Sequence, residues 1–212
     1  MRNFEYAIGD PSAGVAVLVD PAYRPLELVG LVGDDGLEVV GALATHYHPD
    51  HAGGEMMGRR LDGVAELVAA RATPVHVQRD EVEWMTRVTG LDEGAFVAHD
   101  GGDVLMVGDV AVSLVHTPGH TPGSQCLLVQ GRLVSGDTLF LQGCGRTDLP
   151  GSDAREMYRS LHQRLGTIED DVVVYPGHLY APEGSASLGS VRATNPVLAP
   201  ATEEQWLARY GS

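Results

Sequence analysis

Hydrophobic and polar positions along this chain form short patterns that predict strands and helices in mixed order. Short apolar runs bounded by Gly, Pro or Asp are typical of strands. Apolar positions three or four residues apart, followed by Gly or Pro, are typical of helices. The pattern predicts strands over residues 6–9, 14–20, 39–44, 74–77, 104–107, 110–115, 126–129, 133–134 and 172–175. It predicts a short helix and loop over 25–36, and helices over 64–71 and 84–89, from Ser152 or Asp153, and from Thr202.

Four of these strands lead into a His or an Asp that lies beside Gly or Pro. The strands over residues 39–44, 110–115, 133–134 and 172–175 precede the segment 45–54, His120, Asp137 and His178, respectively. Functional side chains are commonly carried on loops at the ends of strands. If the four strands lie side by side in a common direction, their terminal side chains converge on one site.

The segment after the strand 39–44 is the densest group of candidate metal ligands. His46, His48, Asp50 and His51 place three imidazoles and one carboxylate within six residues, and Gly53 and Gly54 follow. Neutral imidazole binds zinc, iron and related transition metals, and a carboxylate adds charge and an oxygen ligand. A polar loop with surface histidines is the alternative, but four ligand side chains in so short a segment favour a metal site.

Length and charge limit the classes of partner. The 212 residues fit a single domain over residues 1–212. With 29 acidic and 14 basic residues the formal charge is −15. A nucleic acid or an anionic membrane requires a basic surface, so we expect neither as a partner. A small-molecule substrate fits this charge better.

Cysteine content and the apolar runs favour a soluble cytoplasmic protein. Cys126 and Cys144 are the only cysteines and form no C-x-x-C pair, so a reduced compartment is the simpler interpretation. The first residues lack the apolar segment of a signal peptide, and no apolar run has the length of a membrane span. A homodimer is left open, as is a missing strand before residue 1.

Four motifs in this order resemble the metallo-β-lactamase superfamily over nearly the whole chain. They are H-x-H-x-D-H over residues 46–51, T-P-G-H over 117–120, S-G-D-T-L-F over 135–140 and Y-P-G-H over 175–178. The resemblance implies an α/β fold, a four-layer αββα sandwich of two mixed β-sheets flanked by helices. G-C-G-R-T-D over residues 143–148 resembles the branch of glyoxalase II (hydroxyacylglutathione hydrolase) and persulfide dioxygenase.

The resemblance also implies a ligand set for two divalent transition-metal ions, with zinc expected first and iron as the alternative. One ion is bound by His46, His48 and His120, the other by Asp50, His51 and His178, and Asp137 bridges them. Within this set Asp50 and Asp137 are assigned to catalysis. Water between two such ions becomes hydroxide near neutral pH and can attack a thioester or ester carbonyl.

Two activities remain open, with a metal-binding fold without catalysis as a third interpretation. The first is a hydrolase of a small thioester or ester, with a thiol derivative as substrate. The second is a persulfide dioxygenase, whose relatives use one iron at the positions of His46, His120 and Asp137. Arg146 is expected either to clamp a substrate carboxylate or to form a salt bridge with Asp148. Only 34 residues follow His178 (212 − 178), so glutathione specificity is not implied.

Overall fold

The computed structural model describes residues 2–211, and the chain forms two compact units. The N-terminal unit is Glu5–Val112, and the C-terminal unit consists of Met1–Phe4 and Ser113–Ser212. A single domain over residues 1–212 stays a prediction, and each unit is described by itself. Residues 2–211 contain no helix that combines the length and the apolar character of a membrane span.

The N-terminal unit is built on a mixed β-sheet with helices between its parallel strands. Its elements are β1 (Tyr6–Asp10), β2 (Val15–Val19), α1 (Pro25–Asp34), β3 (Glu38–Leu43), α2 (Pro49–Ala52), β4 (Gly54–Met56), β5 (Arg59–Leu61), α3 (Val64–Arg71), β6 (Val75–Gln78), α4 (Val82–Thr89), β7 (Phe96–His99) and β8 (Val104–Val107). The sheet order is β1-β2-β3-β6-β7, with β1 antiparallel to β2 and the other neighbours parallel. Parallel neighbours need crossover connections, and α1, α3 and α4 lie in those connections.

Apolar side chains of the strands and helices form the core of the N-terminal unit. Leu18 on β2, Val75 and Val77 on β6, Leu67 on α3 and Met85 on α4 are all buried in one cluster. Helix α4 ends at Thr89 and is capped by Gly90, whose φ of 75° is left-handed. The buried cluster therefore fixes the helices on the sheet and leaves the loops after β2 and β3 to carry polar groups.

The C-terminal unit contains a second mixed sheet. Its elements are β9 (Val110–His116, which begins in the N-terminal unit as the partner of β8), β10 (Gln125–Val129), β11 (Arg132–Gly136), α5 (Ala154–Arg159), β12 (Val173–Pro176), β13 (Ala186–Ser187), α6 (Leu188–Thr194) and α7 (Glu203–Tyr210). The strand order is β13-β12-β11-β10-β9. Only β11 and β12 are parallel neighbours. The core contains Met157 of α5 and Trp206 of α7, both fully buried.

Three of the four strands that lead into ligand candidates share a direction in this second sheet. β10 is antiparallel to both β9 and β11, and β12 is parallel to β11, so β9, β11 and β12 run the same way. The expected side-by-side arrangement differs in two respects. The tight turn at Gln130-Gly131 places β10 between β9 and β11, and β3 belongs to the sheet of the N-terminal unit.

Candidate metal centre

The histidine-rich loop of the N-terminal unit is a single helical turn held between a proline and a glycine. His48 is the N-cap of α2, Pro49 is its first residue, and Gly53 ends it with a φ of 83°. A Cβ on Gly53 would lie 2.7 Å from the Cα of Gly63, so this close approach requires glycine. The turn thereby fixes Asp50 and His51, which are both buried.

Asp20 orients the ligand candidates although it lies outside the motifs that predicted the site. Its carboxylate, 3% exposed at the end of β2, accepts hydrogen bonds from the Thr45 N–H at 2.7 Å and the Thr45 hydroxyl at 2.6 Å. Its Oδ2 also lies 2.9 Å from Nδ1 of His51. A carboxylate on one nitrogen of a histidine fixes the ring and leaves the other nitrogen to a metal ion.

The imidazoles of the N-terminal unit cluster around this carboxylate. The donor atoms of Asp20, His46 and His51 all lie within 4.8 Å of one another. The His46 ring centroid is 4.2 Å from that of His51 and 4.8 Å from that of His48. Nδ1 of His46 lies 3.0 Å from the Thr45 hydroxyl, and Oδ2 of Asp50 lies 3.8 Å from Nε2 of His51. All four ligand candidates of this segment thus lie together.

The C-terminal unit brings together the other three candidates around Asp137. Oδ2 of Asp137 lies 3.1 Å from Nε2 of His178 and 3.7 Å from Nε2 of His120. The parallel pairing of β11 and β12 explains the first contact, because Asp137 and His178 follow the ends of these neighbouring strands. Nδ1 of His120 is held by the backbone carbonyl of Arg146 at 2.8 Å, so Nε2 is the atom that His120 can offer to a metal ion.

Two glycines allow close packing at the loops that carry the ligand candidates His120 and Asp137. A Cβ on Gly145 would lie 2.3 Å from the Asp137 carbonyl oxygen and 2.7 Å from the His120 ring. A Cβ on Gly119, whose φ is 139°, would lie 2.4 Å from the Cα of Met157. The G-C-G segment therefore packs directly against the residues that carry the ligands, and the His120 loop packs against α5.

Arg146 takes the alternative role that the sequence left open for it. Its Nε and Nη2 donate to the two oxygens of Asp148, both at 2.8 Å, on an exposed loop. The guanidinium lowers the pKa of Asp148. The substrate-clamp role of Arg146 stays a prediction. Cys144 is partly buried, and burial raises the pKa of its thiol to about 12, which does not favour a nucleophilic role.

The ligand candidates fit a transition-metal ion by their chemistry. Two atoms bound tetrahedrally at about 2.1 Å are separated by about 3.4 Å. The separations of Asp137 from His178 and His120 are 3.1 and 3.7 Å, and that of Asp50 from His51 is 3.8 Å. Each group combines imidazole with carboxylate, and His51 and His120 have their other nitrogen held by an oxygen. This is the donor set that zinc and iron prefer.

A family model described as the metallo-beta-lactamase superfamily matches residues 6–178. The hydroxyacylglutathione hydrolase of Polaromonas sp. is 34% identical over 183 residues, which cover 84% of this chain and 63% of that protein. The mitochondrial persulfide dioxygenase ETHE1 of Homo sapiens is 29% identical over 205 residues, which cover 95% of this chain and 74% of that protein.

Similarity extends to solved structures. The crystal structure of ETHE1 from Myxococcus xanthus matches with a TM-score of 0.83 and 27% identity over 99% of this chain and 85% of that chain. These comparisons confirm the predicted fold class, with mixed sheets and flanking helices. The chain therefore belongs to the metallo-β-lactamase superfamily, an enzyme superfamily that includes both hydrolases and dioxygenases.

Proposed function

We propose that this protein is a metal-dependent hydrolase that cleaves a small thioester or ester, as glyoxalase II does. One observation supports the choice of hydrolysis: Asp50 and His51, two proposed ligands of the second metal position, are both present and lie close together. Asp50 and His51 lie side by side, and the Asp20 carboxylate holds the far nitrogen of His51. A mononuclear site would not require this pair.

The proposed ligand set is the one that the family resemblance assigns. It consists of His46, His48 and His120 for one ion, Asp50, His51 and His178 for the other, and the bridging Asp137. Two divalent ions, with zinc first and iron second, would lower the pKa of a shared water and polarise a carbonyl oxygen. The backbone carbonyl of Arg146 and the carboxylate of Asp20 keep the rings of His120 and His51 in place.

The chain's own residues also bear on the substrate. A thiolate is a good leaving group, so hydrolysis of a thioester needs no strong general acid from the protein. The net charge of −15 disfavours nucleic acid, which leaves a small thiol derivative as the proposed substrate. A cytoplasmic location stays a prediction, and whether the protein forms a homodimer is left open.

Metal content tests the site. We expect the purified protein to retain transition metal through exhaustive dialysis, and His46→Ala and Asp137→Ala to lose most of it, because each variant removes a ligand. His116→Ala is the matched control: His116 lies on β9 and its Nε2 is 2.9 Å from the Pro122 carbonyl oxygen. Elemental analysis after dialysis decides, and wild-type metal content in both ligand variants would show the assignment to be wrong.

The second candidate is a mononuclear iron persulfide dioxygenase. Similarity to the human persulfide dioxygenase over 95% of this chain favours it. Zinc-loaded and iron-loaded proteins should each be given an acyl-thiol ester and a thiol persulfide, with thiol release and oxygen uptake followed. We expect thioester cleavage. Persulfide-dependent oxygen consumption by the iron form, without thioester cleavage by either form, would replace the hydrolase with the dioxygenase.

A further inference from the structure

Glu81 is a fully buried acid outside the proposed ligand set. Its carboxylate is 0% exposed, at the junction between the short helical turn Arg79–Glu81 and α4. Glu81 is the N-cap residue of α4, but its side chain makes no capping hydrogen bond to the helix. Burial of a carboxylate costs free energy unless strong hydrogen bonds compensate, so its contacts show what it does.

The Glu81 carboxylate reaches the backbone of the histidine-rich loop. Its Oε1 accepts a hydrogen bond from the Tyr47 N–H at 3.2 Å, across 34 residues of sequence. Tyr47 is the residue between His46 and His48, two of the proposed ligands. A bond to this N–H restrains the peptide that joins His46 to Tyr47, and therefore the direction in which the neighbouring side chains leave the backbone.

The first turns of α4 hold the Tyr47 side chain as well. Its ring stacks on that of Trp84 with centroids 4.9 Å apart and an interplanar angle of 17°. It also lies edge-on to the His48 ring, at 4.6 Å. Tyr47 is thus fixed at two points from the same helix, its backbone by Glu81 and its ring by Trp84.

Helix α4 also contacts the rest of the ligand loop. It packs against α2, which carries Asp50 and His51. A Cβ on Gly54, the first residue after this loop, would lie 2.6 Å from the Val88 carbonyl oxygen of α4. The start of α4 and the turn before it therefore support the loop at Tyr47, and α4 supports it further at α2 and at Gly54.

We infer that Glu81 is a positioning residue, which orients His46 and His48 for metal binding through its hydrogen bond to the Tyr47 backbone. The inference rests on the metal ligands of the proposed function and holds for the hydrolase and the dioxygenase alike. Residues that orient ligands from outside the coordination sphere commonly change metal affinity by about 10- to 100-fold when mutated.

The test measures metal binding rather than turnover. Metal-free protein is titrated with Zn²⁺ in competition with a chromophoric chelator, and the absorption bands of the Co²⁺-loaded protein are recorded. Glu81→Ala removes the acceptor, Glu81→Asp withdraws it by one methylene, and Glu81→Gln retains an oxygen at the same reach. Glu83→Gln is the matched control, because Glu83 is exposed on the same helix and pairs with Arg87. Circular dichroism establishes that each variant is folded.

We expect Glu81→Ala and Glu81→Asp to bind Zn²⁺ about 10- to 100-fold more weakly and to shift the Co²⁺ bands. Glu81→Gln should stay within about threefold of wild type and Glu83→Gln within about twofold. If Glu81→Ala does not fold, Glu81→Asp decides. If folded Glu81→Ala and Glu81→Asp bind Zn²⁺ with wild-type affinity and show wild-type Co²⁺ absorption bands, the inference is overturned, but the metal assignment stays intact. A loss in Glu81→Gln as large as in Glu81→Asp would assign the effect to charge and overturn the hydrogen-bond role.

Discussion

At the scale of single residues, Asp20 shows how one carboxylate orients a proposed metal ligand without being assigned to the ligand set itself. It has a φ of 51°, a left-handed conformation that Asp tolerates better than most residues. This geometry at the end of β2 aims both oxygens at the loop after β3, where Thr45 and His51 bind them. The buried carboxylate therefore selects the ring orientation of His51.

Asp20→Asn should lower metal affinity. Oδ2 of Asp20 faces both the Thr45 hydroxyl and Nδ1 of His51. An amide nitrogen in its place is itself a donor and could not accept hydrogen bonds from these groups. We expect Zn²⁺ affinity to fall about 10- to 100-fold, measured by chelator competition. Asp10→Asn is the control, since Asp10 also ends a strand and accepts from the N–H of Ser12 and of Asp109. Equal affinities in the two variants would contradict the role of Asp20.

Arg146→Lys tests the substrate role of the G-C-G-R-T-D loop. If the guanidinium clamps a substrate carboxylate, replacing a fork by a point charge should raise KM about tenfold and lower kcat less. Asp148→Asn should lower KM, because it releases Arg146 from its observed salt bridge with Asp148. Arg132→Lys, at an exposed turn where the guanidinium binds the Gln130 carbonyl, is the control. Steady-state kinetics with several acyl-thiol esters measure this effect. An unchanged KM in Arg146→Lys would exclude the substrate role of Arg146.

At the scale of elements, the hairpin of β4 and β5 contains a residue in an unfavourable conformation. Its strands pair Glu55 with Arg60 and Met56 with Arg59, so Met57 and Gly58 form a two-residue turn. Both have positive φ, 52° and 72°, the backbone that Asn-Gly favours. Met57 is 90% exposed, so no packing offsets its strain.

Met57→Asn should stabilise the protein. It relieves the left-handed strain and removes no buried contact, so we expect a gain of about 0.5–1 kcal/mol in the free energy of unfolding. For a chain of this length that gain corresponds to a rise of about 1–4 °C in the midpoint of thermal unfolding. Met57→Leu, which keeps an exposed apolar side chain, should show no rise. Identical midpoints for the Asn and Leu variants would refute the argument.

The elements also show what could be predicted from sequence. Helices with local end signals were predicted correctly: Asp153 caps α5 by accepting from Arg155 and Glu156, and Thr202 caps α7. The hairpin of β4 and β5 was missed because Gly54-Glu55-Met56 and Arg59-Arg60-Leu61 show no alternation of apolar and polar residues. Its first residue is fixed by packing against α4, a tertiary contact.

The same limit applies to the site. The ligand candidates were predicted because they cluster in short motifs that resemble a known family. Asp20 and Glu81 were not assigned, because each acts on the loop from 25 or more residues away, through bonds that exist only in the folded chain. An acid directly after an apolar strand was the available signal for Asp20, and Glu81 had none.

At the scale of the whole molecule, charge is the dominant feature. All 14 cationic side chains are arginine, against 29 carboxylates. The exposed ion pairs, such as Arg79 with Asp100, add little stability each. Repulsion within a chain of net charge −15 falls as the pH approaches the isoelectric point near 4.8, which by itself would favour folding in mild acid.

His76 opposes this trend in acid. Burial, followed by the charge of His99, lowers the pKa of His76 from 6.5 to about 4, and its Nδ1 lies 2.9 Å from Nε2 of His99. The pKa of His76 is lower in the folded than in the unfolded chain. Its contribution to the free energy of unfolding is therefore complete above pH 6.5 and is lost as the pH falls towards 4. Because the His76 side chain is partly exposed, this loss of stability is limited to about 1–3 kcal/mol.

His76→Gln should therefore make the folded protein less sensitive to acid. We expect the difference in the free energy of unfolding between about pH 7.5 and pH 4.5 to shrink by about 1–3 kcal/mol relative to wild type. Urea unfolding of metal-free protein at both pH values measures it, and the higher pH is the internal control. An undiminished difference in the variant would exclude His76 as the cause.

The close packing of Gly145 affects how a saturation mutagenesis of this chain would be interpreted. Any side chain there would displace the His120 ring or the Asp137 backbone, so nearly every substitution would abolish activity. In a map of tolerated substitutions Gly145 would be as intolerant as a ligand, although it supplies no ligand atom. Gly119 and Gly53 would follow the same pattern for the loops they hold. Positions intolerant in an activity screen would thus outnumber those that take part in the chemistry.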